Sequence, residues 1–375
     1  MSLLGWLLPV ALSAVALVLF VLVVVGRPRP ARPGPALVAR IGEVLALNVV
    51  VVLIAASILN DQYVFYSSWS DLFGTTAPPG TQVAGGTAHA AALKTPLGVG
   101  LADLRTPAVL PALPSPGAQV QTYHLTGPMS GVSGTVIVVL PPGYNPASPK
   151  LYPVIETFHG YPGIPLSAMH GLNLPSSIDA AYRQHLVAPS ILVLPQTDNP
   201  NRLDTECMNG PGGSGPQVET WLARDIPTWV VHHFRVARDR SSWATMGYSL
   251  GGWCSAMIGM RHPDIFGASI VFMGYFRPEF AKSYNPVLPG SPDWVSHDLT
   301  AMASSAPPPI AMWVMTAKDD KHAYPATEAF LAAAKPPLSV TAYILASGGH
   351  RVGEIPPLIP RVMSWLSSSL PGFHA

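Results

Sequence analysis

The sequence has few charged residues and almost no net charge. Among its 375 residues 11% are charged, and 21 Lys and Arg nearly balance 20 Asp and Glu, which gives a formal charge of +1 at pH 7. Proteins that bind DNA or RNA present a basic surface to the phosphates. The sequence therefore predicts no nucleic-acid partner.

Residue patterns that hold metals or nucleotides are also missing. The chain has 2 Cys, no cluster of Cys and His has the spacing of a zinc site, and neither an H-E-x-x-H motif nor a phosphate-binding loop occurs. We therefore expect no metal and no cofactor.

Hydrophobic residues, by contrast, make up 49% of the chain, and they are concentrated near its beginning. No charge precedes Arg27, and the apolar run Leu3–Val25 is long enough, at about 1.5 Å per residue, to cross roughly 30 Å of hydrocarbon. A second apolar run, Ile41–Leu59, is also long enough to cross the membrane. Positive charge follows the first run, whereas it would precede the apolar core of a signal peptide. Two transmembrane helices are predicted within residues 1–60, in preference to a cleaved signal or a buried helical hairpin.

The loop between the two runs indicates their orientation. It contains four arginines and no acidic residue: Arg27, Arg29, Arg32 and Arg40. Such a short basic loop stays in the cytoplasm, so everything after Asn60 would lie outside the plasma membrane. Aromatic residues suited to the outer interface follow directly: Tyr63, Phe65, Tyr66, Trp69 and Phe73.

Residues 61–119 are predicted to form this interfacial segment and a linker rich in Pro, Ala and Gly, extended from about residue 75. From residue 120 to 375 strand and helix patterns alternate, which indicates a mostly parallel, doubly wound α/β sheet covered on both faces. Strands are predicted near 121–124, 134–140, 152–157, 190–194, 242–246, 268–272, 310–315 and 339–345. Helices are predicted near 177–185, 218–233, 249–261, 325–334 and 357–368.

One turn between a strand and a helix carries a candidate nucleophile. Gly247-Tyr248-Ser249-Leu250-Gly251 fits G-x-S-x-G, directly after one predicted strand and before one predicted helix. A turn this sharp strains the serine backbone and needs glycines where a Cβ would collide. We predict that Ser249 is presented at the carboxyl edge of the sheet as a nucleophile.

A serine of this kind needs a base, and the base needs an acid that fixes its tautomer. In folds with this elbow the chain order is Ser, acid, His. His350 follows the last predicted strand and is the expected base. The loop after the preceding strand contains Asp319 and Asp320. Asp319 is favoured because it is nearer the strand end, and Asp320 is the alternative.

Two backbone amides are expected to form the oxyanion hole. One is that of Leu250, the residue after the nucleophile. The other lies in the loop Phe158-His159-Gly160-Tyr161-Pro162-Gly163, where Pro162 has no N–H, so Tyr161, or else Gly160, must serve. We interpret His159 as a support for this loop.

The two cysteines are predicted to form a disulfide. An extracytoplasmic location permits oxidation. Cys254 lies about one turn into the nucleophile helix, and Cys207 lies in a loop predicted at the same edge of the sheet. Two buried free thiols are the alternative.

These motifs resemble an actinobacterial esterase family of the α/β-hydrolase fold, related to esterase D and to the mycobacterial mycolyltransferases. The resemblance covers roughly residues 120–370, and the serine motif is its most specific part. Its segments are Val139-Leu140-Pro141-Pro142-Gly143-Tyr144, His159-Gly160, Gly247-Tyr248-Ser249-Leu250-Gly251-Gly252 and Gly349-His350. The segment from Tyr66 to Gly74, after the membrane hairpin, also looks like that of membrane-anchored members.

The resemblance implies cofactor-free hydrolysis of carboxylic esters, with lipid or envelope esters as expected substrates because the site stays near a membrane. An acyltransferase that uses a sugar or lipid hydroxyl instead of water is one alternative. A non-catalytic membrane scaffold with a hydrolase fold is another. The pair Asp319-Asp320 departs from the family pattern and leaves the acid open.

Overall fold

A nine-stranded sheet is the centre of the part of the chain that this computed structural model describes. The described residues are 3, 5–25, 33–63, 66, 69–73, 80–85, 100–105, 107–198, 203–281 and 284–375. The strands are β1 (Gly80–Gly85), β2 (Val120–Thr126), β3 (Ser133–Val139), β4 (Val154–Phe158), β5 (Ile191–Pro195), β6 (Trp243–Tyr248), β7 (Ala268–Phe272), β8 (Ala311–Ala317) and β9 (Ser339–Leu345).

The strand order is β1-β9-β8-β7-β6-β4-β5-β3-β2. Pairing is parallel from β5 through β4, β6, β7 and β8 to β9. It is antiparallel where β1 joins β9 and where β2 and β3 extend the other edge. The carboxyl ends of the parallel strands therefore share one edge of the sheet.

Helices connect these strands and cover both faces of the sheet. Their bounds are α1 (Leu7–Val25), α2 (Pro33–Tyr63), α3 (Trp69–Leu72), α4 (Pro165–Gly171), α5 (Leu174–Arg183), α6 (Val218–Thr220), α7 (Ile226–His233), α8 (Leu250–Arg261), α9 (Pro292–Ser296), α10 (Leu299–Ser305), α11 (Ala323–Ala333) and α12 (Ile359–Ser369). A π-helical turn, Trp221–Asp225, joins α6 to α7. Successive strand residues enter opposite hydrophobic clusters, as Val154 and Ile155 do. The doubly wound α/β fold is confirmed, with all eight predicted strands and five predicted helices present.

The described residues divide into two compact units. One contains residues 1–79, 318–321 and 346–351, and the other contains residues 80–317, 322–345 and 352–375. In the first unit, α1 and α2 contact each other. The segments Leu7–Val25 and Leu37–Asn60 are long and apolar enough to cross a membrane.

Of the predicted interfacial aromatics, Trp69 and Phe73 are exposed, and their rings stack 6.3 Å apart. Phe65, the side chain of Tyr63, and Arg27, Arg29 and Arg32 lie outside the described residues.

Part of the predicted linker belongs to the sheet. Residues 80–85 form β1, and the Gln121 amide donates to the carbonyls of Ser115 and Ala118. Leu101 is buried in the core. The expectation of an extended tether is therefore corrected for residues 80–85, 100–105 and 107–119, while residues 75–79, 86–99 and 106 lie outside the described ones. The sequence of β1, Gly-Thr-Gln-Val-Ala-Gly, has neither an apolar run nor a regular alternation of apolar and polar residues, so it gives no strand signal, and pairing with β9 stabilises it.

A buried carboxyl lies on β4, the strand that leads into the predicted oxyanion loop. Glu156 is 0% exposed, and neither of its carboxylate oxygens has a hydrogen-bond partner among the described residues. Burial raises the pKa of Glu156 well above its ordinary value of 4.5. The folded protein therefore keeps this carboxyl protonated where the unfolded chain would ionise it.

We expect Glu156→Gln to remove a pH dependence of stability. Because the folded pKa is raised, the stabilising contribution of Glu156 is complete below about pH 4.5 and is lost as the pH rises towards the folded pKa, by about 1.4 kcal/mol per pH unit. Urea unfolding of both proteins at pH 5 and pH 8 should show the variant gaining stability relative to the wild type at the higher pH. Parallel changes in the two proteins would contradict the assignment.

Candidate active site

Ser249 occupies the turn between β6 and α8 in a strained backbone conformation. Its φ is 58° and its ψ is −123°, a region that residues with a side chain rarely occupy. Its N–H donates to the Phe272 carbonyl at 3.0 Å. The side chain is partly exposed rather than buried in the core. This geometry is that of a nucleophile elbow, which a fold tolerates where a serine must be presented.

The glycines on either side of Ser249 are required by crowding. A Cβ on Gly247 would lie 1.9 Å from the Gly251 carbonyl oxygen. A Cβ on Gly251 would lie 2.2 Å from the carbonyl oxygen of Phe158, at the end of β4. Both distances are shorter than any real contact, so the G-x-S-x-G motif lets the start of α8 approach the neighbouring strand.

The oxyanion loop runs beside the nucleophile. A Cβ on Gly160 would lie 3.3 Å from the Tyr248 carbonyl oxygen and 3.5 Å from the Ser249 Cβ. Tyr161 follows Gly160 directly, and Leu250 follows Ser249. The two amides predicted for the oxyanion hole therefore belong to two segments that leave little space between them and that follow the paired strands β4 and β6.

His159 supports this loop. Its side chain is buried, its Nε2 accepts the Thr197 N–H at 3.1 Å, and its Nδ1 donates to the Gly160 carbonyl at 2.8 Å. These contacts describe a neutral imidazole with the proton on Nδ1. The ring thus fixes the carbonyl of Gly160, the peptide unit whose N–H belongs to Tyr161.

The base and the acid predicted from the sequence meet in the loops that follow β8 and β9. The Nδ1 of His350 lies 2.8 Å from Oδ2 of Asp320, and the Asp320 side chain is 1% exposed while that of His350 is 20% exposed. A carboxylate in this position holds the proton on Nδ1, so that the lone pair of the imidazole is on Nε2. The imidazole therefore has the tautomer that a general base needs.

These contacts favour Asp320, the alternative, over Asp319 as the partner of His350. Asp319 instead accepts the backbone N–H groups of Gly348 at 3.3 Å and Gly349 at 2.9 Å. Strand β8 continues to Ala317, two residues beyond the predicted end. The loop therefore starts later, and its second aspartate, Asp320, is the one that contacts the imidazole. Asp319 binds the backbone just before His350.

The predicted disulfide is present and ties a loop to the nucleophile helix. Cys207 and Cys254 are bonded with a Cα–Cα distance of 5.7 Å. Glu206 and Cys207 have positive φ angles of 51° and 53°. The Glu206 carbonyl accepts the Trp253 indole N–H at 2.8 Å, and its carboxyl accepts the Tyr275 hydroxyl at 2.6 Å. Burial raises the pKa of the Glu206 carboxyl well above its usual range.

Replacing both cysteines, Cys207→Ala with Cys254→Ala, should lower the free energy of unfolding by about 4 kcal/mol. The bond closes a loop over a sequence separation of 47 residues, and a cross-link of this length restricts the unfolded chain by about that amount. A thermal melt should show a fall of roughly 10 °C. The wild type under reducing conditions is the control and should lose a similar amount, whereas a fall below about 2 °C would contradict the estimate.

The far end of α8 is held by a cluster that no sequence motif signalled. The carboxylate of Glu219 lies 2.8 Å from Arg261, 2.9 Å from His262 and 3.1 Å from His297. Although burial alone would raise it, the pKa of Glu219 is held far below its usual range by the two histidines and the arginine. With the disulfide, this cluster fixes the helix that begins at the nucleophile.

Solved structures with a similar fold include several hydrolases. An S-formylglutathione hydrolase from Agrobacterium tumefaciens aligns with a TM-score of 0.58 at 16% identity, over 69% of this chain and 100% of its own. FphF, a fluorophosphonate-binding serine hydrolase of Staphylococcus aureus, aligns at 0.52 and 15% identity over 67% and 99%. MPT51 (FbpC1) of Mycobacterium tuberculosis aligns at 0.52 and 15% identity over 68% and 100%. At these identities the likeness establishes the fold.

The sequence comparisons establish the family. A search of curated proteins found no match. A model of the Putative esterase family matches residues 129–349, which is more than half of the chain. The match contains Ser249 and Asp320 and ends at Gly349, directly before His350. The chain therefore belongs to the Putative esterase family, and it is a serine hydrolase with the α/β-hydrolase fold.

Proposed function

We propose that the chain is a membrane-anchored esterase that hydrolyses carboxylic esters through an acyl-enzyme on Ser249. The observation that carries this proposal is the left-handed backbone of Ser249 between two glycines that cannot be replaced. Such strain persists only where the surrounding structure enforces it, and it costs about 1–3 kcal/mol. A turn with no chemical task has no need for it.

His350 acts as the general base and Asp320 as its partner in this proposal. In the sheet, β6, β8 and β9 are parallel and end at the same edge. Ser249 follows β6, Asp320 follows β8, and His350 follows β9, which favours a single triad. The Ser249 hydroxyl attacks the ester carbonyl and passes its proton to His350 Nε2, while Asp320 stabilises the imidazolium that forms.

The backbone amides of Leu250 and Tyr161 stabilise the developing oxyanion. The N-terminus of α8, a helix of 12 residues, adds its positive dipole end at the same point. The imidazolium then protonates the leaving alcohol. Water, deprotonated by His350, attacks the acyl group and restores Ser249.

The N-terminal helices suggest where this chemistry takes place. We infer that α1 and α2 cross the plasma membrane with the catalytic residues on its outer side, because both are apolar enough to span it and the basic loop between them favours the cytoplasm. The disulfide fits an oxidising compartment. Esters of lipids or of the cell envelope are the proposed substrates.

Acyl transfer is the second candidate, because it shares the acyl-enzyme and differs only in the acceptor. Three apolar side chains of the oxyanion loop and α4 are at least 36% exposed: Tyr161, Ile164 and Leu166. Exposed apolar side chains that follow Gly160 in the chain would favour a hydrophobic acceptor over water. Adding an alcohol to the assay and measuring ester product against free acid would separate the two reactions.

Covalent labelling tests the proposed function. The full chain in detergent is treated with a fluorophosphonate probe, digested, and mapped by mass spectrometry. We expect one labelled peptide, with the probe on Ser249, and loss of labelling after denaturation. An unlabelled protein would favour the non-catalytic scaffold, and a label on another serine would contradict the assignment of Ser249.

A further inference from the structure

The end of the second apolar helix holds the backbone of Tyr66. Asn60, in the last turn of α2 and 8% exposed, donates its Nδ2 to the Tyr66 carbonyl at 2.9 Å. Its Oδ1 accepts the Tyr66 N–H at 2.7 Å. One buried amide therefore satisfies both polar groups of the same residue, and this pair of hydrogen bonds fixes Tyr66 relative to the helix.

The ring of Tyr66 lies against the residue next to the proposed base. The guanidinium carbon of Arg351 is 5.3 Å from the Tyr66 ring centroid, within the range of a cation–π interaction. Arg351 follows His350 directly. On the other side of His350, Asp319 binds the N–H groups of Gly348 and Gly349. The segment that carries the imidazole is thus held at both ends.

We propose that Tyr66 and Asn60 are positioning residues for His350, so that the end of α2 is a working part of the catalytic apparatus as well as an anchor. This inference rests on the proposed function. The contacts form an unbroken path inside one compact unit: helix α2, Asn60, Tyr66, Arg351, His350 and Asp320.

Such a path matters because a catalytic base must be held in a narrow geometry. Gly348 and Gly349, before His350, have φ angles of 142° and 61°. Because glycine has more accessible backbone conformations than other residues, contacts from outside this segment are needed to fix it. Asp319 restrains the loop before His350, and the Tyr66 ring restrains it after. Losing the second restraint would let the imidazole leave the proton-transfer geometry while leaving substrate binding intact.

The test compares two substitutions of Tyr66 in the full chain, reconstituted in phosphatidylcholine vesicles, with a p-nitrophenyl ester as substrate. Tyr66→Leu removes the ring's π system but keeps apolar bulk, and Tyr66→Phe keeps the ring. We expect Tyr66→Leu to lower kcat roughly tenfold, at the upper end of cation–π energies, with KM unchanged. Tyr66→Phe should stay within about twofold of the wild type. Phe73→Ala, an exposed aromatic of the same segment, is the control and should not change kcat.

A double-substitution cycle makes the test specific to the contact. If Tyr66 acts through Arg351, then Tyr66→Leu combined with Arg351→Gln should be no slower than Arg351→Gln alone. Multiplicative effects, or equal kcat in the leucine variant and the wild type, would overturn the positioning role while Ser249 remains labelled by fluorophosphonate. A wild-type protein that is not labelled would overturn the proposed function and this inference together.

Discussion

Replacing Ser249 with alanine should lower kcat for ester hydrolysis by about 10⁴-fold or more. Without its hydroxyl no acyl-enzyme can form, and the remaining rate comes only from the oxyanion hole and from binding. Steady-state kinetics with a p-nitrophenyl ester measures the loss. The Ser249 side chain is only partly buried, so the fold should persist in the alanine variant.

Ser255→Ala is the matched control for this substitution. Ser255 lies in α8, the helix that Ser249 precedes, and its hydroxyl bonds to the Thr245 hydroxyl at 3.0 Å and to the Ile270 carbonyl at 3.0 Å inside the core. Its loss should reduce stability and leave kcat nearly unchanged. A Ser249→Ala protein that keeps a tenth of the activity would exclude Ser249 as the nucleophile.

The second large effect separates the two neighbouring aspartates. Asp320→Asn should reduce kcat by roughly 10³ to 10⁴-fold, because an amide can no longer favour the proton on His350 Nδ1 or stabilise the imidazolium. Asp319→Asn keeps an oxygen that can accept the N–H of Gly349, so we expect only about a tenfold loss. The ratio of the two kcat values is the measurement.

The reverse order would identify Asp319 as the acid. Equal losses would mean that both aspartates serve only to hold the loops. Circular dichroism of both variants provides the control for folding, since Asp320 is buried and asparagine would place an NH2 donor where a carboxylate oxygen lies.

The fold was predictable because its signals are local. Each parallel strand is a short apolar run buried on both faces, and each helix shows its own period. The elbow was predictable because steric crowding at Gly247 and Gly251 leaves few residue types that fit. The disulfide followed from two cysteines placed near one edge of the sheet.

The choice between Asp319 and Asp320 was not predictable in the same way. It depended on where β8 ends, and strand ends vary by one or two residues without a local signal. Neighbouring residues in a loop direct their side chains differently, so a shift of one residue decides which aspartate faces His350. The contact of His350 with Asp320 is therefore a property of the folded loop.

Contacts between residues far apart in the chain could not be predicted from the sequence either. Strand β1 gains its stability from β9, about 260 residues away in the chain. The contact between Tyr66 and Arg351 joins residues nearly 300 positions apart. An aromatic residue after an apolar helix predicts a side chain at the membrane interface. Its contact with Arg351, the residue after the proposed base, arises only in the folded chain.

The most direct test of the central claim is to trap the acyl group on the enzyme. The full chain is mixed with an excess of a p-nitrophenyl ester, quenched in acid within the first turnover, and examined by intact and peptide mass spectrometry. The account predicts the mass of one acyl group, located on Ser249. Ester cleavage without an adduct, or an adduct on another residue, would contradict it.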